Sequence, residues 1–111
     1  MSLLPKDYLA AYEATLQIIE DAIDSQGDEL DYENQSGMLT IFCPDGSQVI
    51  VSRQAPTEEL WLAAKSGGFH FSLADGAKIC WRSTRDDSMH LKQRLERVVF
   101  EQSRERITFN V

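Results

Sequence analysis

The side chains with the most chemical potential in this chain are carboxylates crowded into its N-terminal third. Glu13, Glu20, Asp21, Asp24, Asp28, Glu29, Asp31 and Glu33 follow one another with no lysine or arginine between them. At about 100° per residue, Glu13, Glu20 and Asp24 share one column of a helix, with Asp21 further toward solvent. Glu29, Asp31 and Glu33 alternate with Leu30 and Tyr32, so a strand would show them on one side at intervals of about 6.8 Å. If that strand lies beside the helix flank, about seven carboxylates form one surface, despite the mutual repulsion of like charges. Oxygen donors without imidazole or thiolate suit Mg²⁺, Ca²⁺, Mn²⁺ and iron, particularly Fe³⁺. Ligands on an open helix face and an edge strand close no cage, so binding is expected to be weak, multiple and salt-sensitive. A solvated acidic face that serves only solubility accounts for the same residues.

Sharper sites fit less well. An EF-hand loop begun at Asp31 would place Gly37 one position late and would lack its closing Glu. Paired carboxylates for glycoside hydrolysis need a cleft that raises one of their pKa values, and the pattern implies none. Cys43, Cys80, His70 and His90 stand singly, without the spacing of a zinc site, and both thiols are expected to be free. Trp61 is the remaining candidate. Leu60 and Leu62 share a face, so alternation sends Trp61 to the opposite one, with Arg53 and His70 as expected neighbours. A contact residue on an open sheet face and a partly buried core residue both fit Trp61.

These residues need elements to hold them. Tyr8, Tyr12, Leu16, Ile19 and Ile23 recur at three- and four-residue steps, predicting a helix from Pro5 to about Ser25 that Gly27 ends. Alternation then predicts a first strand over Glu29–Glu33 and a second over Met38–Cys43, turned at Ser36-Gly37. After the Pro44-Asp45-Gly46 turn, further strands should contain Val49–Val51, Leu60–Leu62, Phe69–Phe71 and Lys78–Trp81. Asp86-Asp87 offers an N-cap for a second helix running to about Arg104, with Leu91, Leu95, Val98 and Val99 as its apolar stripe. The end, Ile107-Thr108-Phe109, reads either as a tail over the core or as a short strand. The expected fold is α+β: a two-layer sandwich with an N-terminal and a C-terminal helix packed on one face of a five- or six-stranded antiparallel sheet.

Composition narrows the function. A chain of 111 residues is one domain, 1–111, with room for a single core but not for a deep interlobe cleft. With 42% hydrophobic and 26% charged residues, it is expected to fold alone. No apolar run approaches the roughly 20 residues that span a bilayer, and no secretory signal opens the sequence, so a cytoplasmic protein without a membrane partner is expected. The net charge of −7 is uneven: residues 1–52 hold ten acids and one base, Lys6, whereas residues 53–111 hold ten bases and eight acids. That asymmetry disfavours nucleic acid as a partner of the N-terminal half.

Gly37–Ile41, Asp45-Gly46-Ser47, Val49–Pro56 with its Arg53-Gln54, Leu60-Trp61-Leu62-Ala63 and Gly67-Gly68-Phe69-His70-Phe71 together resemble the central block of frataxins, in the bacterial CyaY form. The resemblance covers roughly residues 37–73 closely, and the acidic helix and strand fit by pattern. It implies a frataxin-like domain over the whole chain that is not an enzyme. It further implies weak binding of Fe²⁺ and Fe³⁺ on an acidic ridge, carried over to Glu20, Asp21, Asp24, Asp28, Glu29, Asp31 and Glu33. The ridge would regulate iron–sulfur cluster assembly by docking a cysteine desulfurase and its scaffold protein. A partner-binding sheet surface carries over to Arg53, Gln54 and Trp61. A monomer is expected, with iron-driven oligomerisation left open. Ser52 stands where the family commonly has Asn, Gln35-Ser36 where Asn-Gly is usual, and after Cys80 the match fades. The alternative is a metal-independent acidic module for protein–protein contact, and an iron oxidase is a third reading.

Overall fold

Tyr8, Tyr12, Leu16, Ile19 and Ile23 all turn inward from one helix, α1 (Pro5–Gln26), in a computed structural model that describes residues 5–74, 80–85 and 89–111. Ala11, Thr15 and Ala22 complete the buried stripe. Each large apolar side chain fully removed from water contributes about 1.5–3 kcal/mol, so this face fixes how α1 lies on the sheet. The helix closes where Gly27 N–H reaches Ile23 O at 2.8 Å. A Cβ on Gly27 would stand 2.7 Å from that same oxygen, so this close approach requires glycine.

The sheet is an antiparallel meander of six strands, β1 (Asp31–Gln35), β2 (Met38–Phe42), β3 (Gln48–Gln54), β4 (Glu59–Ala64), β5 (Gly67–Leu73) and β6 (Trp81–Ser83), paired in chain order. Leu39, Ile41, Val49, Val51, Leu60, Leu62 and Phe71 are buried beneath the helices. Strand alternation therefore leaves Thr40, Phe42, Ile50, Ser52, Trp61 and His70 on the opposite, open face. The first strand starts two residues later than the alternation suggested, because Glu29 still belongs to the connection from α1. The last strand is likewise displaced to Trp81–Ser83; Lys78, Ile79 and the Asp75-Gly76 turn lie outside the described residues. Trp81 anchors β6 in the core: it is fully buried, edge-on to Tyr8 at 6.0 Å, and donates its indole N–H to Thr15 Oγ1 at 2.8 Å.

Helix α2 (Leu91–Ser103) buries Leu91, Leu95, Val98 and Val99 against the same sheet face. Asp86 and Asp87, expected as its N-cap, lie outside the described residues; the cap position is His90, whose N–H is accepted by Gln93 Oε1 at 3.0 Å. Near its other end, Gln102 donates to Ser47 Oγ and Gln48 O and accepts from Lys65 N–H, fastening α2 to two hairpin turns. The tail is a tail, not a strand. Ile107 and Phe109 are buried. Gln26 of α1 pairs its side-chain amide with both backbone groups of Thr108, at 2.8 and 3.0 Å. From α2, Glu96 accepts Phe109 N–H and Lys92 donates to Phe109 O. The segment is thus bonded to both helices. Among the described residues, no helix is long and apolar enough to cross a membrane.

Candidate functional site

The carboxylates gather where α1 runs beside the edge strand β1. Tyr32 donates its hydroxyl to Asp24 Oδ2 at 2.9 Å, and Asn34 Nδ2 donates to Glu20 Oε2 at 2.8 Å. These alternate residues of β1 pin the strand to the helix. Asp21, one step further round α1, is exposed and accepts from Gln17 Nε2 at 2.9 Å. Glu13 is exposed and joins Glu20 and Asn34 in lining a shallow depression that reaches Gly37.

Because Tyr32 and Asn34 face the helix, a period of two turns Asp31 and Glu33 to the other side of the sheet. There they stand across from Phe42 and Thr40 of β2. The single continuous surface expected from the sequence is instead two acidic rows flanking one edge strand. Asp28 and Glu29 bridge the rows in the α1–β1 connection. Their consecutive backbone N–H groups are both accepted by the Glu105 carboxylate, at 2.7 and 2.8 Å. Glu105 thus adds another acid to the region, and nothing in sequence spacing could have found it.

Electrostatically the edge is open. The ion pairs among the described residues, Lys65–Asp45, Lys92–Glu96 and Arg97–Glu101, and the His70–Glu59 contact at 3.8 Å include none of Glu20, Asp21, Asp24, Asp28, Glu29, Asp31 and Glu33. Among those residues, no three acidic, histidine or cysteine side chains converge as a metal-holding group. The donor set is hard oxygen spread along an edge, which fits hydrated or transient cations better than a resident ion. The field of this edge is felt by Tyr32: its bond to Asp24, followed by partial burial and the charges of Glu20 and Asp21, pushes the phenol up to about 12.

On the open sheet face, Trp61 is half-buried rather than freely exposed, because His70 of β5 stacks on it at 4.2 Å with the rings 5° from parallel. Its indole N–H donates to Glu59 Oε1 at 2.7 Å. Gln54, opposite Glu59 in the β3–β4 register, shares this face. Arg53 does not. It pairs with Leu60, which is buried beneath the helices, whereas Ser52 stands across from Trp61. Arg53 therefore belongs to the helix side, next to Gly37, where a Cβ would lie 3.4 Å from its Nη1. The expected trio divides because alternation within β3 sends Arg53 to the same face as the buried Val49 and Val51, and Gln54 to the other. Glu59 was missed, although its position two residues before Trp61 is the alternation signal for the same face. Cys43 and Cys80 are both free thiols.

A family model described as the frataxin-like domain matches residues 1–105. The chain is 42% identical over 110 residues to an iron-sulfur cluster assembly protein CyaY of Pseudomonas syringae pv. syringae, covering 99% of this chain and 98% of that relative. A protein of the same name from Pseudomonas putida is 42% identical over 112 residues, with 99% and 98% coverage. Among solved structures, a frataxin from Psychromonas ingrahamii superposes with a TM-score of 0.87 at 25% identity, covering 98% of this chain and all of the other.

Proposed function

The chain belongs to the frataxin family, and from that premise we propose that it serves iron–sulfur cluster assembly as a cytoplasmic regulator rather than as an enzyme. Its acidic edge docks on a basic surface of a cysteine desulfurase and the scaffold protein beside it, and takes up Fe²⁺ or Fe³⁺ weakly while doing so. The observation that carries this reading is the run from Glu20 to Glu33: carboxylates flank an edge strand with no paired base among the described residues. Such a surface raises the local concentration of cations and steers a basic partner toward it. Gln54, Trp61 and the His70 ring stacked on Trp61 form a second contact surface on the open sheet face.

A metal-independent docking module is the second reading, and the absence of a converging ligand group among the described residues favours it. Titrating Fe²⁺ anaerobically while recording backbone amide spectra separates the two. Selective broadening over residues 20–33 supports iron uptake at the edge. Broadening elsewhere, or none, removes iron from the account and leaves docking alone.

A further inference from the structure

At the opposite end of the sheet from the acidic edge, a pocket of about 250 Å³ opens between β5, Ser83–Arg85 at the end of β6, Met89 and the first turn of α2. Phe69, His70, Thr84, Arg85, Met89 and Arg94 line it. The Arg94 guanidinium lies over the Phe69 ring, 4.4 Å from its centroid. Its Nε is buried and has no hydrogen-bond partner. Among the described residues, neither Arg94 nor Arg85 forms an ion pair. A buried donor left unmatched in a folded protein calls for an explanation, and a guanidinium cannot escape the problem by losing its proton.

We propose that this pocket binds the carboxylate of a small organic acid, with Arg94 and Arg85 holding the anion and the apolar walls receiving its body. Planar guanidinium groups match a carboxylate with paired N–H donors, and stacking on Phe69 fixes the plane of Arg94 before the ligand arrives. Phe69 and Met89 offer apolar surface that a fully hydrated inorganic anion would not use. The inference concerns a surface remote from the acidic docking edge, sharing only His70 with the proposed sheet-face contact, and it does not rest on the function proposed for that edge.

Sodium benzoate, neutral benzamide and inorganic phosphate serve as probes, titrated into isotope-labelled full-length protein with backbone amide and arginine Nε–H signals followed. Benzoate is expected to move the Phe69, Thr84 and Arg85 amides and the Arg94 Nε–H saturably at millimolar concentration. Benzamide and phosphate should each bind at least about tenfold more weakly, as should benzoate to R94Q, because a charge-assisted paired contact is lost. A thermal melt checks that R94Q folds; R85Q, altered at an exposed position, provides the same comparison should R94Q unfold. The proposal is overturned by no saturable shift, by benzamide or phosphate matching benzoate, or by full benzoate affinity in the folded variants.

Discussion

Tyr32 and Asp24 share a hydrogen bond of 2.9 Å that joins the edge strand β1 to helix α1 in the middle of the acidic edge. The carboxylate accepts the phenolic proton, so ionising Tyr32 would set one negative charge against another. The phenol is accordingly pushed from 10.0 up to about 12 in the folded protein. The folded state holds this proton more tightly than the unfolded chain does. The resulting stability is therefore present below about pH 10 and is lost as pH climbs through about 12. Spectrophotometric phenolate titration, with Y32F subtracted to isolate this tyrosine, should show the high midpoint, and D24N should bring it down. An ordinary midpoint in the parent protein would mean the bond does not form in solution.

Thr15 and Trp81 make the corresponding test of the core. Thr15 Oγ1 accepts the Trp81 indole N–H and donates to Ala11 O, each at 2.8 Å, with Thr15 and Trp81 fully buried. T15V keeps the shape of the side chain but strands the indole donor. Urea unfolding should show a loss of about 1–3 kcal/mol, the cost of leaving a buried donor unsatisfied. An unchanged midpoint would show that the indole finds another acceptor.

Ser36 occupies a conformation that suits it poorly. The two-residue turn between β1 and β2 places Ser36 at φ 54° and Gly37 at φ 86°, the positive pair that favours Asn-Gly. S36N should raise stability by roughly 0.5–1 kcal/mol, within the range of a single compatible turn substitution. Thermal unfolding at fixed pH measures it. A lower melting temperature would show that the serine hydroxyl contributes something this turn geometry does not explain.

Much of the architecture was legible because each element repeats its own period. Tyr8, Tyr12, Leu16, Ile19 and Ile23 mark α1, and Leu60 with Leu62 marks β4; all are buried. The site was legible in composition but not in arrangement. Alternation correctly set Tyr32 against Asp31 and Glu33, yet only the bonds from Tyr32 and Asn34 to α1 reveal that the acids lie on both sides of the strand. Arg53 was assigned to the wrong face because the unbroken apolar run Val49-Ile50-Val51 does not show which parity of β3 turns inward; Val49 and Val51 do, and Arg53 shares their face. Glu105 reaches Asp28 N–H across 77 residues, a contact that depends on where α2 and its tail come to rest. The burial of Trp81 was hidden for the same reason: its partners Tyr8 and Thr15 lie on the far N-terminal helix.

The central claim is that the acidic edge makes the docking contact. Its most direct test is the affinity for a purified cysteine desulfurase in metal-free buffer, measured at low and physiological salt. The variant D21K/E29K reverses charges whose side chains do not pin β1 to α1. The parent protein should bind with an affinity that falls as salt rises, and the variant should bind at least about tenfold more weakly at low salt, as expected when attraction becomes repulsion across an interface. Equal affinity of parent and variant, with the same salt dependence, would contradict the account.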